Sequence, residues 1–301
     1  MKAGVRSQAP ELSSQDSAPT SRASRAERRS EHSVAGPYRV RRGLHGDRVW
    51  LATAPDGTDC VIKSGPKACI DTEYELLRRL DHPRIVAVRE RIEPQRIEPQ
   101  RIEADTIEFP ADRGYVVLDY VGGGDLVSLA GLEPSAWIGQ LADLVDALGY
   151  LHALGFVHRD VKARNVLCDR DDRAKLIDFG SAVPIGSGWQ RGGTTAAAVP
   201  AARGAGPVTP ADDVYALAVL VFEMLHGRPP AASIGAGARA MAEPLAMAGA
   251  TAEPSARPDG GETGAFAQLD RLAAETLAAP FDAARLRLSR WADGIESLRN
   301  D

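Results

Sequence analysis

The sequence predicts an α+β fold of two lobes: a small antiparallel-sheet lobe with one main helix, and a larger, mostly helical lobe. Two observations predict this fold class. Residues 37–121 contain short apolar runs with the spacing of strands, and residues 122–301 contain long apolar stripes with the spacing of helices. Three consecutive glycines at 122–124 lie between the two regions. A chain of 301 residues has room for two such units at roughly 150 residues each.

The composition excludes several classes of protein. Hydrophobic residues make up 44% and charged residues 26% of the chain, which excludes a wholly disordered protein. The net charge of −5 argues against a nucleic-acid partner bound through bulk positive charge. The longest apolar run, at 214–222, is too short to cross a bilayer, so no membrane anchor is expected. Three scattered cysteines argue against a disulfide framework and favour a reducing, cytoplasmic location.

Residues 1–36 are predicted to be a disordered tail. They contain eight serines, six basic and four acidic residues, and apolar periodicity begins only at Tyr38. Such a segment cannot bury enough apolar surface to offset the entropy lost on ordering. The alternative is a signal for a specialised secretion route, which would make the protein a secreted effector that acts in a host cell.

The small lobe, residues 37–121, is predicted to contain a β-hairpin near its start. Apolar strands at 49–52 and 60–63 flank the turn sequence Pro-Asp-Gly-Thr at 55–58. An Asp-Gly turn between two apolar strands is typical of an antiparallel hairpin.

The main helix of this lobe is predicted over residues 70–80. Its apolar residues recur at spacings of four, three and three, which places them on one face. These residues are Ile70, Tyr74, Leu77 and Leu80. His82 and Pro83 are expected to end the helix, because a residue that precedes proline is disfavoured in the helical conformation.

Two strands, at 85–89 and 114–118, are predicted to complete the sheet. Between them, residues 91–104 contain a tandem repeat with the unit Arg-Ile-Glu-Pro-Gln. A period of five is too short for a solenoid, and Pro94 and Pro99 block a regular helix. The repeat is therefore predicted to be an expanded surface loop that joins the two strands, and partner binding is the alternative.

The larger lobe, residues 122–301, is predicted from helical periodicity. A wide apolar stripe predicts a helix over 137–151, and an almost wholly apolar segment predicts a buried helix over 214–225. Two further helices are predicted near 266–277 and 288–299.

The strongest functional signal lies in two stretches of this lobe. Residues 158–165 read His-Arg-Asp-Val-Lys-Ala-Arg-Asn, and residues 176–180 read Leu-Ile-Asp-Phe-Gly. A hairpin predicted between them, with strands at 166–168 and 174–177, would place the two stretches side by side.

The residue types in these stretches suit phosphoryl transfer from a nucleotide. That chemistry needs a carboxylate near the acceptor oxygen and hard oxygen ligands for magnesium. Asp160 suits the first role, and Asn165 and Asp178 suit the second. The sequence therefore predicts a magnesium-dependent phosphotransferase.

Together the two stretches resemble the catalytic loop and metal-binding motif of the protein kinase family. The resemblance implies a two-lobed protein-kinase-like fold, ATP and Mg²⁺ as cofactors, and a protein substrate. By this resemblance Asp160 positions and deprotonates the acceptor hydroxyl, and Lys162 stabilises the transferred charge. Lys162 is similar to the lysine of serine/threonine-specific members, whereas residues 163–165 are similar to tyrosine-specific members. The chain as a whole resembles the eukaryotic-like serine/threonine kinases of bacteria. The resemblance also implies that Asp213 braces the backbone of the catalytic loop.

Further residues follow from the same resemblance. Lys63 is similar to the family's strand lysine that contacts the nucleotide phosphates, and Glu73 to the helix glutamate that holds that lysine. Glu75 is the alternative if the register shifts by two. The backbones of Asp119 and Val121 would bind adenine, with Leu118 at the back of the pocket. The residues expected to bind the nucleotide are Lys63, Gly43, Gly46, Val49, Val61, Asp119, Val121 and Leu167.

The sequence departs from the family pattern in its glycine loop and at Ala201, among other places. The family's phosphate-covering loop has three glycines before a valine, whereas Gly43 and Gly46 supply two, out of register, before Val49. Ala201 stands where the family has a glutamate that forms a buried ion pair.

Arg159 resembles the arginine of kinases that are switched by phosphorylation of a nearby segment. A phosphate on that segment could pair with this arginine, because guanidinium and phosphate form bidentate hydrogen bonds. The candidate acceptors are Ser181, Ser187, Thr194 and Thr195.

The leading hypothesis is a serine/threonine protein kinase that uses ATP and Mg²⁺ and is capable of autophosphorylation. One alternative is a catalytically weak pseudokinase that serves as a binding module, suggested by the unusual glycine loop. The other is a small-molecule phosphotransferase of the antibiotic-kinase type. The sequence makes no prediction of an oligomeric state.

Overall fold

The small lobe is built on one antiparallel sheet. The computed structural model describes residues 33–35, 38–46, 48–92, 110, 112–188, 206–230, 264–279 and 287–300. Within them the sheet has the strands β1 (Ser33–Ala35), β2 (Tyr38–His45), β3 (Val49–Thr53), β4 (Asp59–Pro66), β5 (Val88–Ile92) and β6 (Arg113–Asp119). Their order across the sheet is β1-β2-β3-β4-β6-β5, and every neighbouring pair is antiparallel.

The predicted hairpin is confirmed as β3 and β4. Val49 lies opposite Lys63, and the pairing continues without a shift to Thr53 and Asp59. In the turn, Gly57 has a φ of 84°, which a residue without Cβ adopts at little cost. The Thr58 backbone N–H donates to Asp56 Oδ1 at 2.9 Å, the side-chain-to-backbone bond that makes aspartate favourable in turns.

The first strand corrects the predicted extent of the tail. Residues 33–35 form β1 and pair with β2, although residues 1–36 were predicted to be disordered. A short edge strand is held by its backbone hydrogen bonds, so it requires no apolar alternation that a sequence pattern could reveal. Residues 1–32 lie outside the described part of the chain.

Strand β5 lies three residues later than predicted, at Val88–Ile92 rather than at 85–89. The segment before it pairs elsewhere: Leu176 N–H donates to the carbonyl of Arg84, and Val86 N–H donates to the carbonyl of Leu176. The first residues of the predicted strand are therefore hydrogen-bonded to the larger lobe, and the local sequence pattern could not indicate this distant pairing. Two residues of the repeat, Arg91 and Ile92, belong to β5 and not to a loop, and residues 93–104 lie outside the described residues.

The main helix of the small lobe is α1 (Lys67–Leu77). It ends before Leu80, because the N–H groups of Arg79 and Leu80 bond three residues back in a tightened last turn. The helix packs closely on β6. A Cβ at Gly114 would lie 2.9 Å from Ile70 Cβ, so the glycine allows the helix to approach the sheet.

The larger lobe is mostly helical, as predicted. Its helices are α2 (Ile138–Ala153), α3 (Pro210–His226), α4 (Gly264–Ala278) and α5 (Leu288–Asn300). Helix α3 is buried along most of its length and begins with a capping box between Thr209 and Asp212. All four helices were predicted, with boundaries that differ by a few residues.

Two small antiparallel pairs complete the described part of the larger lobe. The predicted hairpin is β8 (Val166–Cys168) with β9 (Ala174–Leu176). The other pair, β7 (Phe156–Val157) with β10 (Val183–Pro184), was not predicted, because two-residue strands are too short to show a period.

The apolar core has two parts that meet the sheet on opposite faces. On β6, Val116 and Leu118 belong to the larger cluster, which continues into helices α2 to α5, whereas Tyr115 and Val117 belong to a smaller one. This alternation is the period of two expected for a strand buried on both faces. No helix of the described residues is long and apolar enough to cross a membrane.

Candidate active site

Lys63 lies in the middle of β4 between two carboxylates. Its Nζ donates to Glu73 Oε1 and Oε2 at 2.7 and 2.8 Å, and to Asp178 Oδ1 at 2.6 Å. Glu73 comes from α1 and its side chain is only 1% exposed. Glu75, the alternative glutamate, is exposed and pairs with Arg78 instead. The structure thus brings Lys63, Glu73 and Asp178 together from three separate parts of the chain.

The charges of this cluster depend on one another. Burial alone would lower the pKa of Lys63, but the adjacent Glu73 and Asp178 carboxylates raise it above its ordinary value. Burial also raises the pKa of Asp178, yet the neighbouring Lys63 ammonium outweighs this and keeps that pKa low. Burial raises the pKa of Glu73, with Lys63 opposing the shift. At neutral pH Lys63 and Asp178 therefore form an ion pair.

The backbone around Asp178 is also held by Glu73. Asp178 adopts a left-handed φ of 65°, which is uncommon for a residue with a side chain. The next residue, Phe179, donates its N–H to Glu73 Oε1 at 3.1 Å. Phe179 is buried, and its ring meets the His158 ring edge-on with centroids 4.8 Å apart. These contacts stabilise the unusual conformation that directs the Asp178 carboxylate towards Lys63.

The catalytic-loop residues form a second cluster. Lys162 Nζ donates to Asp160 Oδ2 at 2.9 Å, and Asn165 Nδ2 donates to the same oxygen at 2.8 Å and to the Asp160 carbonyl at 2.9 Å. Asp160 is buried, and its other carboxylate oxygen, Oδ1, has no hydrogen-bond partner among the described residues. A buried acceptor without a partner destabilises the folded protein, so its presence here points to a functional role.

The two clusters belong to adjacent loops that hydrogen bond to each other. The Ile177 N–H donates to the Asn165 carbonyl at 2.9 Å. His158 also links the loops: its Nε2 lies 3.1 Å from the Ile177 carbonyl, and the Asp160 N–H donates to its Nδ1 at 3.3 Å. Burial lowers the pKa of His158, which favours the neutral ring. Because Nδ1 accepts from the Asp160 N–H, the proton of the neutral ring lies on Nε2, facing the Ile177 carbonyl. Sequence analysis gave His158 no role, although it opens the motif.

Asp213, at the start of α3, supports the catalytic loop from beneath, as the resemblance implied. Its carboxylate accepts hydrogen bonds from the backbone N–H groups of His158 and Arg159, both at 2.8 Å. His152 Nε2 lies 2.8 Å from the same carboxylate. Burial raises the pKa of Asp213, but the hydrogen bonds to it outweigh that effect and lower the pKa. Arg159 adopts a left-handed φ of 66°, a conformation that these bonds stabilise.

The residues predicted to surround the nucleotide base lie on neighbouring strands. Val61 of β4 pairs with Leu118 of β6, and Leu167 forms a bridge with Asp125 just beyond the glycines that follow β6. Val121 is buried and belongs to the larger apolar cluster. Val61 and Leu167 are partly buried and both pack against the larger apolar cluster.

The predicted glycine loop is the hairpin between β2 and β3. Gly43 lies within β2 opposite Trp50. Gly46 lies in the turn, with a φ of 49°. Val49 lies opposite Lys63, so this hairpin adjoins the lysine. Of the other predicted positions, Ala201, Thr194 and Thr195 lie outside the described residues.

The residues present fit a nucleotide with magnesium. The amide nitrogen of Asn165 is committed to Asp160, so its oxygen is the atom left for a cation. The Asp178 side chain is 39% exposed and can reach a ligand as well as Lys63. An amide oxygen and a carboxylate are hard ligands of the kind that Mg²⁺ binds together with substrate phosphates.

Comparison with known proteins identifies the family. The family described as "Protein kinase domain" matches residues 60–254, which is more than half of the chain. The serine/threonine-protein kinase chk-2 of Caenorhabditis elegans is 33% identical over 175 residues, covering 54% of this chain and 33% of that protein. The serine/threonine-protein kinase PknB of Mycobacterium tuberculosis is 33% identical over 163 residues, covering 50% and 24% respectively.

A third relative, the serine/threonine-protein kinase MRCK gamma of Mus musculus, is 34% identical over 131 residues, which are 38% of this chain and 8% of that protein. The chain thus matches a third or less of the length of these three relatives.

Proposed function

The chain belongs to the protein kinase family, and from that premise we propose that it transfers the γ-phosphate of ATP to serine or threonine hydroxyls of protein substrates. One observation carries the proposal. The loop that bears Asp160, Lys162 and Asn165 is hydrogen-bonded through the Asn165 carbonyl to Ile177, the residue before Asp178. The acceptor-binding and metal-binding groups are therefore adjacent, as in-line phosphoryl transfer requires.

In this proposal Asp160 accepts a hydrogen bond, and then the proton, from the acceptor hydroxyl. Lys162 and Asn165 both donate to Asp160 Oδ2, so Oδ1 is the oxygen that accepts the hydroxyl proton. The two donors fix the carboxylate plane, which limits the rotation that would misplace Oδ1. Lys162 is 31% exposed, and its ammonium can also interact with the charge on the transferring group.

Lys63 and the two metal-binding residues act on the nucleotide side. Glu73 holds the Lys63 ammonium in position, from which it can contact the phosphates. Asn165 and Asp178 would hold magnesium, which neutralises phosphate charge when bound. Asp178 is prepared for this role because the charge of Lys63 keeps its carboxylate ionised.

Two observations support serine and threonine as acceptors. The relatives described above are named as serine/threonine kinases. Lys162, two residues after Asp160, is the residue of the catalytic loop that resembles such kinases. Autophosphorylation is part of the proposal, with Ser181 and Ser187 as acceptors within the described residues. Both lie beyond Asp178 and are partly accessible.

The test is transfer of labelled phosphate from ATP to a generic protein substrate by the wild type and by Asp160→Asn. We expect the variant to lose about 10²- to 10⁴-fold in rate, the usual contribution of a positioned general base. Asp171→Asn is the matched control, because Asp171 is exposed in the turn of the β8–β9 hairpin. Equal rates for the wild type and Asp160→Asn would remove Asp160 from the mechanism.

The same samples separate the two alternatives. A pseudokinase would be stabilised against heat by Mg²⁺ and ATP, since a ligand that binds only the folded state raises its stability, yet would transfer no phosphate. An antibiotic-type phosphotransferase would label an aminoglycoside and no protein. Phosphosite mapping after incubation with a proteome would distinguish serine and threonine from tyrosine.

A further inference from the structure

Arg89 of the small lobe occupies an irregular position in the sheet. Along β5, Val88 lies opposite Leu118 but Glu90 lies opposite Val117, so Arg89 is an extra residue with no counterpart on β6. This is a β-bulge, which bends a strand and redirects a side chain, and bulges are frequent beside active sites. The bulge directs the Arg89 side chain past the end of β6.

The guanidinium of Arg89 joins three separate parts of the lobe. Its Nε donates to Asp119 Oδ1 at 2.6 Å, its Nη1 to Thr58 Oγ1 at 2.7 Å, and its Nη2 to the Asp59 carbonyl at 3.1 Å. Arg89 is only 25% exposed. A planar group with five fixed donors suits this arrangement, and lysine could not reproduce it.

The partners of Arg89 are themselves fixed. Thr58 donates through its hydroxyl to Asp56 Oδ1 at 2.6 Å, within the turn of the β3–β4 hairpin. Asp119 donates its backbone N–H to the Ala87 carbonyl at 2.9 Å. The last residue of β6 is therefore held at its backbone by the segment before β5 and at its side chain by Arg89. The Asp119 carboxylate is half exposed, and its ion pair with Arg89 fixes its position.

We infer that Arg89 is a positioning residue for adenine recognition, which acts by fixing Asp119 at the start of the segment between the lobes. The inference rests on the proposed function and on the expectation, implied by the family resemblance, that the backbones of Asp119 and Val121 bind adenine. A preformed binding edge costs less ordering entropy on association. The guanidinium of Arg89 donates to Asp119, Thr58 and Asp59 rather than to Lys63, Asp160 or Asp178, so it acts on binding of the base and not on the transfer step.

The test compares two nucleotides that differ in the base. Inosine carries an oxygen where adenine carries its amine, and a ring N–H where adenine carries an acceptor, so ITP cannot make the adenine hydrogen bonds. We expect Arg89→Ala to weaken Mg·ATP binding by about threefold to tenfold, the range of charge-assisted bonds that are partly exposed. Mg·ITP binding should change by less than about twofold, and kcat at saturating ATP should stay as in the wild type.

Arg41→Ala is the matched control. Arg41 Nη1 donates to Asp59 Oδ1 at 2.7 Å, so the variant removes an arginine pair from the same sheet without touching Asp119. We expect it to leave the ratio of ATP to ITP affinity unchanged. Asp119→Asn provides a second route if Arg89→Ala does not fold, because it removes the same ion pair and should lower that ratio in the same way.

The possible outcomes separate the inference from the proposed function. A wild type that does not bind Mg·ATP would refute the proposed function, and this inference with it. A wild type that binds, with an unchanged ATP affinity in Arg89→Ala, would overturn the role of Arg89 alone. An equal loss for ATP and ITP would also overturn it, because it would show general damage to the lobe. A selective loss for ATP in both pair-breaking variants supports the inference.

Discussion

Lys63 shows how a single charged residue is accommodated in an apolar strand. It lies between Ile62 and Ser64, both buried, where an unpaired ammonium would be costly. Two carboxylates from distant segments, Glu73 and Asp178, surround it instead. The pairing also explains the choice between two candidate glutamates, because Glu75 points to solvent and Arg78.

Replacing Glu73 should therefore impair catalysis far more than replacing Glu75. In Glu73→Gln the ammonium of Lys63 loses one of its two charged partners and moves towards Asp178. We expect kcat/KM for ATP to fall by about 10- to 100-fold, the equivalent of one or two charge-assisted contacts. Glu75→Gln should stay within about twofold of the wild type, as expected for an exposed pair. Similar losses in both variants, measured by steady-state kinetics, would contradict this assignment.

The connection between the lobes depends on close contact between two backbone segments. Gly123 N–H donates to the Cys168 carbonyl, and Cys168 N–H donates to the Gly124 carbonyl, both at 2.8 Å. A Cβ on Gly123 would lie 2.6 Å from the carbonyl oxygens of Cys168 and Asp169. The segment after β6 therefore lies directly against the β8–β9 hairpin, which also connects the two catalytic stretches.

Gly123→Ala should separate these segments. We expect it to destabilise the protein by about 2 kcal/mol, typical of an overpacked site where backbone has to move, and to weaken ATP binding. Gly139→Ala is the control, since Gly139 is exposed near the start of α2 with open space around it. Alanine at this helical position should raise the free energy of unfolding by at most about 1 kcal/mol. Urea denaturation of both variants tests the difference. A Gly123→Ala variant as stable as the wild type would contradict it.

At the scale of the whole molecule, one buried carboxylate ties several elements together. Asp143 of α2 lies 3.1 Å from Arg84 Nε, in the segment before β5. It also accepts bonds from Arg173, at 2.6 and 3.0 Å, and from the Ala174 N–H at 2.9 Å, at the start of β9. Asp143 thus joins the small lobe, helix α2 of the larger lobe and the β8–β9 hairpin between the catalytic stretches.

Asp143→Asn should lower stability and change its dependence on pH. Burial raises the pKa of Asp143, but hydrogen bonds from Arg173 and Ala174 and the Arg84 charge outweigh it and lower the pKa below the ordinary 3.8. The unfolded chain binds a proton at Asp143 at a higher pH than the folded protein does. The stabilisation from this carboxylate is therefore present above pH 3.8, and it is lost as the pH falls through the lower pKa of Asp143 in the folded protein.

We therefore expect Asp143→Asn to lower the free energy of unfolding by about 2 kcal/mol at pH 7, as for a broken, partly buried ion pair. The difference in free energy between this variant and the wild type should shrink below pH 3.8. Asp146→Asn is the control: Asp146 lies on the same helix, with a side chain that is 66% exposed. Denaturation curves at several pH values provide the measurement. A difference that does not depend on pH would contradict the assignment.

The sequence could predict features that recur over many residues or depend on local chemistry. The helices α2 and α3 have long apolar stripes, and the β3–β4 hairpin has an Asp-Gly turn, so local rules were sufficient. It could not predict β1, β7 or β10: β1 is held to the adjoining β2 by backbone bonds and shows no apolar alternation, and the two-residue strands β7 and β10 are too short to show a period. The three-residue shift of β5 has the same cause, since the segment before it pairs with Leu176.

For the candidate site, the sequence alone identified the types and order of the polar residues, because phosphoryl transfer needs particular groups at close spacing on two loops. The family resemblance had already implied Glu73 as the partner of Lys63 and Asp213 as the brace of the catalytic loop. The choice of Glu73 over Glu75, the role of His158 and the position of Arg89 were decided only by the tertiary structure. These contacts join residues up to 115 positions apart, as between Lys63 and Asp178. Such contacts depend on how helices and strands pack, and a linear pattern carries no record of that geometry.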